Sequence, residues 1–368
     1  MANIDWLDRA VKQASALHPY IPGKPVETLL REKGLDRAIK LASNENPHGP
    51  SPKAIAAIKQ TAADMHRYPD GDATQLKASL ADFHTVDAGQ VLIGNGSNEV
   101  LELLIRTFAG PDDEVIYAQR GFIVYALATQ AAGATGIAVP ESDGLTHDLD
   151  AMAKAVTEKT KIICIANPNN PTGTLHRNTA IQAFLDCLPQ HIIVIVDEAY
   201  YEFVADQLGD SVHDLSHPGL VISRTFSKAY GLAGCRVGYA IANHDIIGLS
   251  NRFREPFNVN TLAQAAAVAA LDDRSWVMGR VAETISERNR LETALQGMGI
   301  LGGFSFGNFV LLRHSQSAAI LQDLENHGII PRPLAPYGMP DYLRISVGTC
   351  EENTEFLRVL ESIMARST

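Results

Sequence analysis

The chain has 368 residues, of which 46% are hydrophobic and 20% are charged, and its formal net charge is −11. This composition is typical of a globular protein and excludes the disordered and fibrous classes. The acidic balance argues against non-specific binding of nucleic acid, which needs a basic surface. The length exceeds one typical hydrophobic core and predicts a large domain with a smaller one.

The amino-terminal residues predict neither a signal peptide nor a membrane anchor. Residues 1–9 contain no basic region followed by an apolar run, and no apolar run in the chain reaches the roughly 20 residues that span a bilayer. The four cysteines form no Cys-x-x-Cys pair, which favours free thiols in a reducing cytoplasm. Residues 17–25 are rich in proline and predict an extended arm that packs on a second subunit.

A strand, a glycine turn and a helix follow one another near residue 95. Residues 90–93 predict a short strand, and the apolar positions of residues 101–108 have helical spacing. Gly96, Ser97 and Asn98 lie between them, at the predicted helix amino terminus, where free backbone N–H groups favour an anion. Alone this signal is weak, because it matches neither the Walker pattern nor G-x-G-x-x-G.

Predicted strands and helices alternate from about residue 90 to residue 222. The strands at residues 161–166 and 191–196 are apolar on both faces, as buried parallel strands are. We therefore predict an α/β fold with a mostly parallel central sheet flanked by helices, whose ligands gather at the carboxyl ends of the strands. The predicted divisions are an arm with a small-domain segment at residues 1–50, a large domain at residues 51–260, and a small α+β domain at residues 261–368.

Three loops with reactive side chains follow strands of this sheet, at residues 167–173, 197–200 and 223–238. Asp197 ends an all-apolar strand, where a carboxylate is costly unless it is paired, and a protonated pyridine nitrogen would supply that pair. Lys228 lies between hydroxyls and before a glycine-rich loop, as suits an amine that reacts with an aldehyde near a phosphate. We interpret Lys228 as the Schiff-base lysine of a pyridoxal 5′-phosphate (PLP) enzyme, in which Asp197 keeps the ring cationic.

Neighbouring polar residues suit the other groups of PLP. Asn170 and Tyr200 are suited to hydrogen-bond the phenolic oxygen of the ring. The phosphate suits the amides near Gly96 and the side chains of Ser97, Thr225, Ser227 and Arg236. Taken singly, each residue has a more ordinary explanation: Asp197 as a turn cap, Lys228 as a solvated lysine, and Arg236 as the partner of a surface carboxylate. Their joint occurrence at strand ends favours PLP.

With these motifs the chain resembles the fold-type I PLP-dependent aminotransferases, and within them the histidinol-phosphate aminotransferase group. The resemblance covers almost the whole chain and rests on Asn167-Pro168-Asn169-Asn170-Pro171-Thr172-Gly173, Asp197-Glu198-Ala199-Tyr200 and Ser227-Lys228. It implies Lys228 as the Schiff-base lysine, Asp197 at the pyridine nitrogen, and Asn170 and Tyr200 at the phenolic oxygen. Phe122 matches the position whose aromatic ring stacks on the cofactor, where many relatives carry Tyr.

The narrower resemblance to the histidinol-phosphate group rests on residues 20–25, 41–47, 67–69, 331–333 and 342–349. It implies that Arg332 and Arg344 meet the substrate phosphate or the carboxylate of the second substrate, and that Tyr20 and Asn46 contribute to substrate binding. Tyr68 would reach the PLP phosphate of the neighbouring subunit, and Tyr20 would border that neighbour's substrate pocket. Both assignments require a homodimer.

The resemblance implies a ping-pong transamination between histidinol phosphate and 2-oxoglutarate in histidine biosynthesis, giving imidazole-acetol phosphate and glutamate, with Lys228 and Tyr200 beside Asp197 as catalytic residues. Three alternatives stay open: an aromatic amino-acid aminotransferase, a PLP decarboxylase such as a threonine-phosphate decarboxylase, and a non-catalytic phosphate-binding module at residues 94–97. We expect no metal, because the 12 histidines show no paired ligand spacing. We also expect a cytoplasmic protein with no nucleic-acid or membrane partner.

Overall fold

The computed structural model of the protein describes residues 5–16 and 23–367. The described helices, in chain order, are α1 (Lys12–Ala16), α2 (Val26–Lys33), α3 (Pro52–Thr61), α4 (Thr74–His84), α5 (Ser97–Phe108), α6 (Val124–Ala132), α7 (Leu149–Lys154), α8 (Asn178–Asp186), α9 (Ala205–Leu208), α10 (Ser211–Asp214), α11 (His244–Ser250), α12 (Thr261–Leu271), α13 (Arg274–Gly297), α14 (Ser317–Asn326) and α15 (Cys350–Ser367). The strands are β1 (Ile39–Lys40), β2 (Val91–Gly94), β3 (Glu114–Ala118), β4 (Thr135–Val139), β5 (Thr160–Ala166), β6 (Ile193–Asp197), β7 (Leu220–Thr225), β8 (Gly238–Ala242), β9 (Leu301–Gly303), β10 (Phe309–Arg313), β11 (Ile329–Ile330), β12 (Arg332–Pro333) and β13 (Tyr342–Ser346).

A seven-stranded sheet forms the centre of the large domain, in the order β2-β8-β7-β6-β5-β3-β4. The pairs from β7 through β6, β5 and β3 to β4 are parallel, whereas β8 runs antiparallel to both β7 and β2. The predicted α/β class and the mostly parallel sheet are therefore confirmed. The antiparallel strand β8 was not predicted. Its five residues are all buried, and a short apolar run does not reveal the direction in which a strand runs.

Helices cover both faces of this sheet because its strands are apolar on both sides. Val115 and Ile195 pack with α5, α6 and α11 on one face. Their neighbours Ile116 and Val194 point to the other face and pack with α7 and α8. Loops at the carboxyl ends of β5, β6 and β7 consequently lie together at one edge, as expected for ligand-binding loops of such a sheet.

The small domain is built on an antiparallel sheet in the order β12-β13-β10-β9, packed against α13, α14 and α15. Near the amino terminus, β1 pairs in parallel with β11, and Leu41 enters the core of the small domain. This pairing places residues 42–46 between the small domain and the carboxyl edge of the large sheet.

Helix α12 follows the predicted domain boundary at residue 260 but packs on helices that precede this boundary. Ala263, Ala266 and Ala270 of α12 lie in one buried cluster with Ala54 of α3 and Leu76 of α4. The following helix, α13, starts in this cluster and ends in the core of the small domain. The packing thus favours a change of domain within α13. Among the described helices, none combines the length and the apolar character needed to cross a membrane.

Candidate active site

A cavity of about 260 Å³ lies where the carboxyl edge of the large sheet meets the small domain. Most of the residues singled out in the sequence line it: Ser97, Asn98, Phe122, Asn170, Asp197, Tyr200, Thr225, Ser227, Lys228, Arg236, Arg332 and Arg344. Most of them lie at or near the strand ends at one edge of the large sheet, which brings distant parts of the sequence together. Arg332 and Arg344 come instead from the antiparallel sheet of the small domain.

Three of the predicted residues that the structure describes do not line this cavity. Gly96 lies directly behind it, as the residue before α5. Asn46 donates its amide hydrogen to the carbonyl of Ala229 and accepts from the backbone of His48, so its side chain holds its own loop instead of facing the cavity. Tyr68 is 82% exposed on the surface of this chain, and Tyr20 lies outside the described residues.

Lys228 follows β7 and projects its amine into the cavity, where Nζ donates to the backbone carbonyl of Ser43 at 3.1 Å. Burial, and then the positive charge of Arg344, lower the pKa of Lys228 to about 7. A large fraction of the amine is therefore unprotonated near neutral pH, which is the form that acts as a nucleophile or a base.

Asp197 is the last residue of β6 and is only 4% exposed. Its Oδ2 accepts a hydrogen bond of 2.8 Å from the hydroxyl of Tyr125 on α6, and Tyr125 is itself fully buried. Burial raises the pKa of Asp197 to about 6, although the Tyr125 hydrogen bond opposes this rise. Its Oδ1 has no hydrogen-bond partner within the described part of the chain. A buried carboxylate in this position favours a cationic N–H donor.

Tyr200 and Asn170 lie on the side of the cavity nearest the small domain. The Tyr200 hydroxyl accepts from Asn44 Nδ2 at 2.9 Å, and Asn170 Oδ1 accepts from Arg344. Burial raises the pKa of Tyr200 to about 12, so its phenol stays protonated and can donate a hydrogen bond.

A hydroxyl and arginine cluster forms the opposite end of the cavity, at the amino terminus of α5. Thr225 donates to Ser227 at 3.0 Å, and Arg236 reaches the same Ser227 hydroxyl at 3.4 Å. Gly96 has a φ of 79°, and a Cβ there would lie 2.4 Å from Nη2 of Arg236, so only glycine allows this approach. Helix-terminal N–H groups, hydroxyls and a guanidinium together favour a phosphate.

Arg332 and Arg344 form a second cationic region, on the side of the small domain. They are directly opposite each other on the antiparallel strands β12 and β13, and both are buried. Paired positions on neighbouring strands place both side chains on the same face of the sheet. Two guanidinium groups that border one cavity suit a phosphate or carboxylate group of a substrate.

Tyr125, Ser43, Asn44 and Tyr337 were not predicted as site residues. Tyr125 had a usable signal, because it lies one helical turn after Phe122 and presents a hydroxyl on the same face. Ser43 and Asn44 reach the cavity only because β1 joins the small domain. Tyr337 lines the cavity from a short turn between β12 and β13.

The donor set of this cavity fits PLP. The unpartnered Oδ1 of Asp197 suits the pyridine N–H, the Gly96–Arg236 approach leaves a phosphate site, and Lys228 offers an amine with a lowered pKa. Within residues 5–16 and 23–367, no group of three or more His, Cys, Asp or Glu side chains is arranged to hold a metal ion.

Comparisons with known proteins give consistent results. The sequence model of the family described as "Aminotransferase class I and II" matches residues 36–360. A histidinol-phosphate aminotransferase of Methylobacillus flagellatus is 47% identical and a histidinol-phosphate aminotransferase 2 of Pseudomonas aeruginosa is 45% identical, each over 98% of this chain and 99% of its own length. The fold is similar, with a TM-score of 0.89 and 26% identity over 98% of both chains, to a histidinol-phosphate aminotransferase of Sinorhizobium meliloti crystallised in complex with pyridoxal-5′-phosphate.

Proposed function

Because the chain belongs to the class I and II aminotransferase family, we propose that it transfers the amino group of histidinol phosphate to 2-oxoglutarate, in histidine biosynthesis. The family and its PLP cofactor, both predicted from the sequence motifs, are confirmed by the family match and by the relatives of similar length. The choice of substrate is supported by the names of these relatives.

The arginine pair is the observation that carries this choice of substrate. Arg332 and Arg344 lie in register on β12 and β13 and border the cavity that also holds Lys228. Histidinol phosphate carries a phosphate, and the second substrate carries carboxylates, so the same two guanidinium groups serve both halves of a ping-pong reaction.

When bound, PLP supplies an electrophilic carbon and a ring that withdraws electrons from the substrate Cα. Asp197 would hold the ring nitrogen as a cation through its carboxylate. Asn170 and Tyr200 would hold the phenolic oxygen, and the cluster around Arg236 would hold the phosphate. Nζ of Lys228, whose pKa is about 7, would take the proton from the substrate Cα and deliver it within the same half-reaction, and would carry it in the reverse direction in the other half.

A homodimer in the cytoplasm completes the proposal. Tyr68 is 82% exposed and stacks on Phe257 at 4.7 Å, and Phe257 and Met65 expose further apolar surface beside it. Arg236 is also exposed in the single chain. A second subunit covering this surface would bring its Tyr68 to the PLP phosphate. The four cysteines are all free thiols, as suits a reducing compartment. Sedimentation of the purified protein at twice the mass of the chain is the expected result, and a monomer that retains full activity would contradict the dimer.

A substrate panel tests the proposed function. We expect kcat/KM for histidinol phosphate, with 2-oxoglutarate as acceptor, to exceed the value for phenylalanine, and threonine phosphate to release no carbon dioxide. A higher kcat/KM for phenylalanine would indicate an aromatic aminotransferase, and carbon dioxide release without an oxo-acid would indicate a decarboxylase. Lys228→Ala should remove both the visible absorbance of bound PLP and the turnover.

Arginine variants test the substrate site itself. Arg332→Gln and Arg344→Gln should each lower kcat/KM for histidinol phosphate roughly 10- to 100-fold, because each removes a charge-assisted hydrogen bond worth about 1.5–3 kcal/mol. Arg313→Gln is the matched control, since Arg313 lies on β10 of the same sheet but is exposed and packs over Tyr342. Equal losses in all three variants would contradict the assignment.

A further inference from the structure

Asn44 links the small domain to Tyr200 through a continuous set of hydrogen bonds. The backbone N–H of Asn44 donates to Ser346 Oγ at 2.7 Å, and Ser346 Oγ donates to Asn44 Oδ1 at 2.9 Å. Asn44 Nδ2 then donates to the Tyr200 hydroxyl at 2.9 Å. Asn44 is 1% exposed and Ser346 is 3% exposed, so water does not compete for these bonds.

The directions of these bonds are determined by the chemistry of the groups. Ser346 has one hydroxyl hydrogen, and its oxygen already accepts from the Asn44 backbone, so that hydrogen goes to the amide oxygen of Asn44. The amide nitrogen must then face Tyr200. An amide nitrogen only donates, so the Tyr200 oxygen accepts there and its own hydrogen points elsewhere.

We propose that Asn44 and Ser346 are positioning residues that direct the Tyr200 hydroxyl hydrogen into the cavity, towards the phenolic oxygen of PLP. The inference rests on the proposed role of Tyr200 at that oxygen. Ser346 lies two residues after Arg344 on β13. The strand that carries a substrate-binding arginine therefore also sets the hydrogen bond that tunes the cofactor, which couples the two ends of the site.

The backbone conformation of Asn44 allows two substitutions that change its side chain without straining the main chain. Its φ of 53° lies in the left-handed region, which Asn, Asp and Gly adopt most readily. Asn44→Asp keeps the shape and the oxygen that Ser346 contacts, but replaces the donor facing Tyr200 with an acceptor. Asn44→Gly removes the side chain without adding backbone strain.

The test is a pH titration of the visible absorbance of the holoenzyme without amino donor. A hydroxyl that donates to the phenolic oxygen stabilises its anion. Loss of this donor should therefore raise the pH at the midpoint of the absorbance titration. We expect Asn44→Asp to raise the midpoint by about one pH unit, since the competing acceptor withdraws a charge-assisted hydrogen bond, and Asn44→Gly to raise it less. Tyr200→Phe should raise it at least as much as Asn44→Asp.

Two comparisons decide whether the effect passes through Tyr200. In the Tyr200→Phe background, Asn44→Gly should cause no further change, because the two residues then act on one hydrogen bond. Asn308→Ala is the matched control, since Asn308 donates to the backbone carbonyl of Asn44 but does not contact Tyr200, and it should leave the midpoint unchanged.

A midpoint change that persists in the Tyr200→Phe background, or an equal change in Asn308→Ala, would overturn the inference. A different true amino donor would leave the titration unaffected, because no donor is present. A wild-type protein with no visible band in the presence of PLP would overturn the cofactor assignment itself, and this inference with it.

Discussion

Replacement of Tyr125 by Phe tests how the protein keeps Asp197 ionised. Tyr125 is fully buried, and its hydroxyl donates to Asp197 Oδ2 at 2.8 Å. This hydrogen bond lowers the pKa of Asp197, while burial raises that pKa to about 6. Tyr125→Phe removes the donor and fills nearly the same volume, so the pKa of Asp197 should rise further.

The magnitude follows from the charge on the acceptor. A hydrogen bond to a charged group is worth about 1.5–3 kcal/mol, which corresponds to a roughly 10- to 100-fold change in the acid dissociation constant of Asp197. Asp197 would then be largely protonated at pH 7 and would no longer pair with a cationic ring nitrogen. At pH 7 the ionised fraction of Asp197 would fall from about nine-tenths to between about one-half and one-tenth, so we expect the dissociation constant of PLP to rise roughly 2- to 10-fold.

The assay is a titration of the apoenzyme with PLP at several pH values. In the wild type, affinity should fall as the pH falls through about 6, because protonation removes the carboxylate charge. In Tyr125→Phe the same fall should begin at higher pH, and the two proteins should converge at alkaline pH. Tyr117→Phe is the control, since Tyr117 is a half-buried tyrosine of the same cluster. Unchanged affinity and an unchanged pH profile in Tyr125→Phe would refute the reasoning.

Three further predictions concern the same cavity. Asp197→Asn should raise the free energy of unfolding of the apoenzyme, measured in urea, by up to about 3 kcal/mol at pH 7. The reason is that the rise of the Asp197 pKa from 3.8 to about 6 measures the cost of ionising this side chain in the folded state. This gain in stability should vanish below pH 3.8, and the affinity for PLP should fall. Gly96→Ala should weaken PLP binding by displacing Arg236, whereas Gly234→Ala, with open space around it, should not; equal dissociation constants would contradict the phosphate site. Reductive methylation of Lys228 in the apoenzyme, followed by mass spectrometry, should accelerate with a midpoint near pH 7. Arg344→Gln should move this midpoint to higher pH, because it removes a positive charge near the amine. A midpoint near pH 10.5 in the wild type would disprove the lowered pKa of Lys228.

Local sequence patterns were sufficient for most of the large domain. The strand and the helix predicted on either side of Gly96 are present as β2 and α5, because a short apolar run and helical apolar spacing are local signals. The sheet strands β5 and β6 were equally clear, since long apolar runs are unfavourable anywhere but in a buried sheet. The sequence therefore predicted correctly that the residues after these strands lie at the carboxyl edge of the sheet.

Packing across domains could not be inferred in this way. The spacing of α12 is helical, but nothing in it states that its alanines pack on α3 and α4 of the large domain. Asn46 was predicted for the substrate site from its motif, whereas the structure gives its amide to the carbonyl of Ala229 and places Asn44 in the cavity. Asn44 adopts a left-handed backbone conformation, with a φ of 53°, and its side chain reaches Tyr200 through contacts that only the folded chain provides.

The sequence by itself determined the fold class and the family, and it singled out Lys228, Asp197, Asn170, Tyr200 and Arg236, which the structure brings to one cavity. Most of these residues lie at or after the carboxyl ends of buried strands. Because neighbouring parallel strands end at the same edge of the sheet, their convergence could be expected from the sequence pattern. Only the tertiary structure decided that Tyr125 supports Asp197 and that Asn44 and Ser346 direct Tyr200. Hydrogen bonds between residues up to 302 positions apart depend on the packing of whole domains, and no local pattern encodes them.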